Sequence, residues 1–346
     1  MKKVLMFPSA SSKNNKYLNN LCDTVTENYE IVGYDEAIKN KTLFKCDIYH
    51  FNWYESIDSK KTSIKRKIFI RILKLLNKKI VWTVHNNFPH EINKNKSEII
   101  KFMEFMAKKS EKIHILCKDT VNNKYLEKYK EKIVCIPHGD YIGNYSRSEV
   151  DIYKRYRIDK SKKIMLFIGQ IRKYKNIEIL IKAFYDSKME QEFVLLICGN
   201  CTDEKYQKEL KNLSNENVFF DFNFIKDEEL EGYLNASQII VAPYNKESSL
   251  NSGTLWMAMS YHKTMMLPLI GCVKDIENYN DYLYVYDYDN EEEHYDKLLI
   301  TMKRLINDLN KSEDILLKKG NKSYEYMTNI QSWKKQKQNW INLYKF

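Results

Sequence analysis

The sequence has no apolar run approaching the roughly 18 to 20 residues that a membrane-spanning helix needs. Its opening, MKKVLMFPSAS, has too short an apolar core for a secretory signal, so a cytoplasmic protein is expected. The seven cysteines are odd in number and scattered. Only Cys198 and Cys201 form a C-x-x-C, and no second pair or nearby histidine completes a zinc set. Reduced structural thiols and no metal site are the expectation. There is no G-x-G-x-x-G and no G-K-[ST], which removes the dinucleotide fingerprint and the P-loop. Low-complexity linkers and internal repeats are also missing. With 43% hydrophobic and 30% charged residues, the composition excludes a disordered chain.

What is present suits two domains of about 150 residues each. The formal charge of +11 points to an anionic partner: nucleic acid, anionic lipid or a phosphorylated ligand. Short β-branched runs alternate with longer amphipathic stretches, the pattern of parallel α/β structure. Strands are expected at 3–8, 30–34, 46–51, 79–85, 112–117 and 132–137 in the first half. In the second they are expected at 163–169, 192–198, 218–220, 238–243, 264–268 and 282–286. This doubling predicts two doubly wound sheets with ligands at the carboxyl ends of the strands. The polar stretch GDYIGNYSRSE (139–149) is the expected junction, and after about residue 290 the chain reads as helical throughout. The series Tyr282, Tyr284, Tyr286 and Tyr288 has the period of one strand face. No RNP-type motif accompanies it, so no nucleic acid partner is expected.

Two segments carry candidate chemistry. In FIGQIRKYKN (167–176) an apolar strand ends at Gly169, and Arg172, Lys173 and Lys175 precede the next helix. Such a loop sets cations and free helix amides at the sheet edge, where a diphosphate is gripped, although a solvated basic turn reads the same way. SSLNSGTLWMAMS (248–260) follows another strand and has no charged residue. Asn251 or Ser252 can cap its helix, and Gly253 permits close backbone approach. The unpaired amides there complement a phosphate, which a carboxylate would repel.

Together these segments resemble the donor side of GT-B glycosyltransferases in the group around glycosyltransferase family four. DIYHF (47–51), WTVHNNFPHE (82–91) and KIVCIPHGDY (132–141) are similar to that group's "D-V-V-H", "T-x-H" and "I-P-x-G" landmarks. The combined pattern is closest to bacterial transferases that build capsular or extracellular polysaccharide. The resemblance implies an α/β protein of the GT-B class: two Rossmann-like domains facing across a cleft, residues 1–145 and 146–325, with a C-terminal helix (326–346) crossing back to the first. It implies that Arg172 and Lys175 hold a donor diphosphate above Gly169 and Gln170, and that amides at Ser252, Gly253 and Thr254 bind the distal phosphate. His85 would face the transferred sugar, and Asn14, Asn15 and Tyr17 would line the acceptor side. The nucleotide-sugar, of UDP or GDP type, is a substrate, so no cofactor is implied, and the acceptor is a saccharide or a lipid-linked saccharide.

The group's paired glutamates, E-x7-E, are missing: Ser249 and Met257 stand at those positions. Retention of anomeric configuration is thereby left open. An inverting enzyme needs a general base, for which Glu91 and His85 are the candidates. A GT-B epimerase or phosphorylase, or a non-catalytic sugar- or nucleic-acid-binding protein, are the alternative readings. Finally, KKTSIKRKIFIRILKLLNKK (60–79) holds nine basic residues and no acidic one. On a helical wheel Lys67, Arg71, Lys74 and Lys78 form one narrow basic face, beside Ile64, Ile68, Ile72 and Leu75. That basic edge is expected to meet anionic headgroups on the inner face of the plasma membrane, or else to be the solvated back of a sheet-covering helix.

Overall fold

A computed structural model describes residues 1–10, 15–86, 96–246 and 249–346. All twelve expected strands form, within two residues at their ends. The first sheet contains β1 (Lys2–Phe7), β2 (Tyr29–Gly33), β3 (Ile48–Asn52), β4 (Lys79–Val84), β5 (Lys112–Ile115) and β6 (Ile133–Cys135), in the order β2-β1-β3-β4-β5-β6. The second contains β7 (Lys163–Ile168), β8 (Phe193–Cys198), β9 (Val218–Asp221), β10 (Ile239–Val241), β11 (Thr264–Pro268) and β12 (Tyr284–Tyr286), in the order β12-β11-β10-β7-β8-β9. Every neighbouring pair is parallel. Parallel sheets covered on both faces need continuous apolar runs, which FVLLIC and TMMLP supply; both are buried along their whole length.

The helices in chain order are α1 (Lys16–Val25), α2 (Tyr34–Lys39), α3 (Lys60–Leu75), α4 (Lys96–Lys109), α5 (Ile152–Tyr156), α6 (Ile177–Asp186) and α7 (Glu204–Asn212). They continue with α8 (Asp227–Ala236), α9 (Gly253–Ser260), α10 (Gly271–Lys274), α11 (Glu291–Lys311), α12 (Ile315–Tyr326) and α13 (Trp333–Leu343). The chain divides into two compact units. The first comprises Met1–Gly139, Glu247–Asn251 and Gln331–Phe346, and the second Asp140–Lys246 and Ser252–Ile330. The stretch after Gly139 belongs to the second unit because Ser260 and Tyr261 hold it: the Tyr141 amide donates to Ser260 Oγ at 2.9 Å and the Tyr145 amide to Tyr261 Oη at 3.0 Å.

In the first unit, one sheet face packs against α2, α3 and α4 around Trp82, Phe102 and Met106, and the other against α1 and α13 around Leu18, Trp340 and Tyr344. On this second face runs a buried chain of hydrogen bonds whose direction follows from its end. His114 Nε2 lies 2.9 Å from the Ile136 carbonyl and must donate to it. Its Nδ1 then accepts from Thr83 Oγ1 at 3.0 Å, so Thr83 accepts from His50 Nε2 at 2.6 Å. His50 Nδ1 in turn accepts from the Tyr344 hydroxyl, also at 2.6 Å. Each member is neutral, and burial pushes His114 down to about 4 and His50 well below its ordinary value. In the second unit α6 and α11 cover one sheet face around Phe184, Leu298 and Met302. Tyr284, Tyr286 and Tyr288 are buried in that core, with the Tyr288 ring stacked on His294 at 4.1 Å.

Among the described residues, no helix is long and apolar enough to cross a membrane. Helix α3 corrects an expectation. Its Lys67 pairs with Glu98 at 2.8 Å, Lys74 pairs with Glu111, and Arg71 lies over the Phe105 ring at 5.3 Å. The basic edge is thus turned toward α4 and Glu111 just beyond its end, and Ile64, Ile68, Ile72 and Leu75 are exposed instead.

Candidate active site

The strand order of the second sheet reverses between β7 and β10, and in such sheets the crevice at that reversal is where ligands bind. Both chemistry-bearing segments start there: FIGQIRKYKN leaves β7, and SSLNSGTLWMAMS follows β10 and opens α9. They are pinned together. Asn176, in the left-handed region at φ 53°, donates from Nδ2 to the Pro243 carbonyl at 3.0 Å. Lys175 Nζ sits 4.2 Å from the centre of the Tyr244 ring, and the Tyr244 hydroxyl is 2.8 Å from Ser252 Oγ. Ser252 caps α9, accepting from the Leu255 amide at 3.1 Å.

Burial lowers Lys175 to about 8, so this ammonium is the group whose desolvation a bound anion would relieve. Arg172 Nη1 donates to Thr202 Oγ1 at 3.1 Å, which directs the guanidinium along the same edge. Between the segments lies a cavity of ≈ 290 Å³ whose lining includes Gly169, Gln170 and Thr254. Tyr145, Asn200, Phe224 and Asp227 also line it. Backbone proximity shapes its floor. Gly169 and Gly199 have φ of 143° and 145°, and a Cβ on Gly199 would stand 1.8 Å from the Gly169 carbonyl oxygen. A larger hollow of ≈ 560 Å³ lies along α6 and α11, away from these strand ends.

Not every candidate sits where the sequence placed it. Gly253 is an exposed first residue of α9 with no left-handed backbone, so no backbone conformation there demands glycine. Its constraint is local: a Cβ would come within 3.2 Å of the Tyr141 hydroxyl. Arg172, Lys175, Ser252 and Gly253 border the cavity's segments without lining it. Tyr244, Asn176, Phe224 and Asp227 escaped the sequence reading, because nothing in their local pattern marks them. The register of β7 against β10 brings Asn176 and Tyr244 to this edge, and that of β8 against β7 and β9 brings Phe224 and Asp227.

In the first unit, His85 follows β4. Its Nε2 lies 3.1 Å from Asn52 Oδ1, and Asn52 Nδ2 faces the Phe7 carbonyl. That orientation makes Asn52 Oδ1 the acceptor, so His85 carries its hydrogen on Nε2 and its lone pair on Nδ1. The ring stacks on Trp53 at 3.9 Å, and burial holds its pKa well below the ordinary value. The side chain of Asn251 donates to the His85 carbonyl at 2.9 Å. Tyr17 is enclosed rather than lining an open surface: it is 3% exposed, against His85, His138 and Trp333. Asn15 caps α1, its Oδ1 accepting from the Leu18 amide at 3.3 Å. Asn14, His90 and Glu91 lie outside the described residues. Glu55, also missed, is buried beside Trp82 Nε1 at 3.1 Å and pushed up to about 7 by burial. Alternation along β4 puts Trp82 and His85 on opposite faces, so this carboxyl belongs to the α3–α4 side.

The fold is GT-B. In comparison with known proteins, residues 148–249 match the family model described as glycosyl transferases group 1. No curated protein matches the chain. Among solved structures it is similar to Anabaena HepE in complex with UDP-glucose, with TM-score 0.71 and 12% identity over 99% of this chain and 98% of that one. Sucrose-phosphate synthase from Thermosynechococcus elongatus gives TM-score 0.73 and 11% identity over 99% and 97%. A glycosyltransferase from Rickettsia africae gives 0.65 and 15% over 99% and 97%.

Proposed function

We propose that this protein is a nucleotide-sugar glycosyltransferase that transfers a sugar to a saccharide or lipid-linked saccharide in bacterial surface polysaccharide synthesis. The observation that carries the reading is the convergence, at the β7/β10 reversal, of a desolvated lysine, an arginine and a capped helix start beside one cavity. Arg172 and Lys175 hold the donor diphosphate, Gly169 and Gln170 lie beneath it, and the amides of Ser252, Gly253 and Thr254 receive the distal phosphate. These fixed charges and amides neutralise the leaving diphosphate without a metal ion. UDP-glucose in the HepE complex supports a nucleoside diphosphate as the donor's carrier.

On the acceptor side, His85 presents neutral Nδ1 toward the transferred sugar, and Tyr17 positions its ring. Asn14 and Asn15 border the acceptor. If the anomeric configuration inverts, His85 Nδ1 or Glu91 takes the acceptor hydroxyl's proton. Ser249 and Met257 provide no carboxylate where a retaining pair would stand. The enzyme works in the cytoplasm, peripheral on the inner face of the plasma membrane.

Thermal-shift titration with UDP, GDP and their sugars tests the reading. A hundredfold excess over Kd stabilises by about 2.7 kcal/mol, which is readily seen. Stabilisation by one nucleotide series, followed by nucleotide release with a lengthened glycan, is the expected result. Stabilisation by nucleotide sugars without nucleotide release or glycan extension favours an epimerase or a non-catalytic binding protein, and no stabilisation by any nucleotide removes the donor site.

A further inference from the structure

Helix α3 leaves a ridge of apolar side chains uncovered. Ile64, Ile68, Ile72 and Leu75 are 53%, 49%, 37% and 83% exposed, and Leu76 at its C-cap is 48% exposed. Fourteen large hydrophobic residues are exposed among the described residues, and five of them sit on this one element. The spacing i, i+4, i+8, i+11 sets them in one line along a helix of sixteen residues, about 24 Å long. Helix α3 is nevertheless firmly seated on its other side. Ile70 and Leu73 are buried in the sheet-facing cluster, and Arg66 donates to the carbonyls of Tyr54 and Ser56. Lys67 and Lys74 are held by Glu98 and Glu111.

The charges around the ridge differ in kind from those beneath it. Lys60, Lys61 and Lys65 are exposed, have no carboxylate partner among the described residues, and fall on the same sector as the isoleucines. Beside the ridge, Phe44 is 43% exposed, its ring 6.0 Å from that of Phe69, between exposed Lys41 and Lys45. Asp58 is the exposed carboxylate at the start of the helix, and it is engaged by Thr62. From Ser59 to His90 the sequence has no acidic residue at all. An uncovered line of branched apolar side chains with cations along it matches a surface that is apolar below and anionic above.

We propose that the Ile64–Ile68–Ile72–Leu75 ridge of α3, framed by Lys60, Lys61 and Lys65, lies in the surface of an anionic bilayer. The isoleucines enter the boundary between headgroups and acyl chains, and the lysines meet lipid phosphates. This deepens the membrane side of the function proposed above and does not depend on the donor chemistry. It also reverses the roles expected of the helix: the ridge binds the membrane, and the Lys67–Lys74 edge binds α4.

Co-sedimentation of the full chain with phosphatidylcholine vesicles, with and without phosphatidylglycerol, tests this at about 0.1 M salt. The wild type should pellet with anionic vesicles and remain in solution with neutral ones. Ile64→Ser/Ile68→Ser/Ile72→Ser should weaken partition at least tenfold. Lys60→Gln/Lys61→Gln/Lys65→Gln should weaken it severalfold and flatten its salt dependence, whereas Lys67→Gln should change it little. Ile68→Trp keeps the site apolar, and its added fluorescence should shift to the blue on anionic vesicles. Because the ridge is exposed, the serine variant should keep the wild-type circular dichroism and UDP or GDP response, so lost folding, lost donor binding and lost docking are separable. No pelleting of the wild type, or pelleting of the serine variant at wild-type level, overturns the proposal. A concentration-dependent dimer abolished by the serine substitutions, without vesicle binding, assigns the ridge to a second copy of the chain and overturns it too.

Discussion

Lys175 shows how one side chain's surroundings decide its use. Tyr244 and Tyr174 face its ammonium, at 4.2 and 5.1 Å from their ring centres, and no carboxylate among the described residues neutralises it. Water is excluded faster than compensation is supplied, so its pKa falls to about 8. A diphosphate beside it would favour the charged form and raise that pKa. Affinity for a nucleoside diphosphate should therefore be full below about pH 8 and fall as pH rises above it, toward one proton per ligand. Arg172→Ala and Lys175→Ala should each lower kcat/KM by about tenfold to a hundredfold, the loss of one charge-assisted hydrogen bond. In Lys175→Ala the alkaline fall should disappear as well. Isothermal titration across pH 7 to 10 checks both, and a pH-independent wild type would mean that Lys175 meets no phosphate. The loop's basic residues were legible in FIGQIRKYKN; the tyrosine wall that tunes one of them was not, since Tyr244 stands 69 residues away in the chain.

At the scale of an element, α9 is held by its cap and by its first residue's lack of a side chain. Ser252 Oγ serves the Leu255 amide and the Tyr244 hydroxyl at once, and Gly253 is exposed beside the Tyr141 hydroxyl. Ser252→Ala should cost about 1 kcal/mol of stability, the ordinary worth of a cap, with donor KM little changed. Gly253→Val should abolish donor binding through obstruction while Tm stays near wild type, because the position is exposed and helical. Ser252→Asp should do similar harm by placing negative charge beside a phosphate. An active Ser252→Asp protein with unchanged donor KM would leave α9 without a phosphate. The cap was readable from Ser-Gly-Thr before an apolar run. For α3 the sequence offered two flanks, and the wheel alone does not say which faces in. Glu98 and Glu111 settle it, from the start of α4 and just past its end, by taking Lys67 and Lys74.

Across the whole molecule, the C-terminal segment completes the first unit, and the directed chain from Tyr344 to Ile136 shows what holds it. Tyr344→Phe leaves His50 Nδ1 buried without a donor and should cost about 1–3 kcal/mol. Acid should act on the same link. His114 and His138 are lowered to about 4, and His50 and His85 are held well below the ordinary value, chiefly by burial. Between those values and the ordinary 6.5 the unfolded chain binds more protons than the folded one. Stability is therefore full above about pH 6.5 and is lost progressively as pH falls toward 4, on the order of 2 kcal/mol by pH 5 for each of His114 and His138. Calorimetry of wild type and Tyr344→Phe from pH 7.5 to 5 measures both effects. Equal melting of the two at pH 7.5 would remove this chain as a fastening, and stabilisation by UDP or GDP in the second unit should survive in either case.

The pattern of apolar runs and turn residues by itself determined the twelve strands, their division into two sheets and the two segments that meet at the β7/β10 reversal. These follow from local periodicity, capping and turn chemistry, which are written in neighbouring residues. Tertiary structure alone decided the rest. The parallel register joined Asn176 and Lys175 to the strand-end residues Pro243 and Tyr244, and burial set the protonation of Lys175 and the histidines. Ion pairs with Glu98 and Glu111 turned the apolar ridge of α3 outward. Each of these depends on partners far apart in the chain, and desolvation and charge pairing act between whatever the fold brings within a few ångströms.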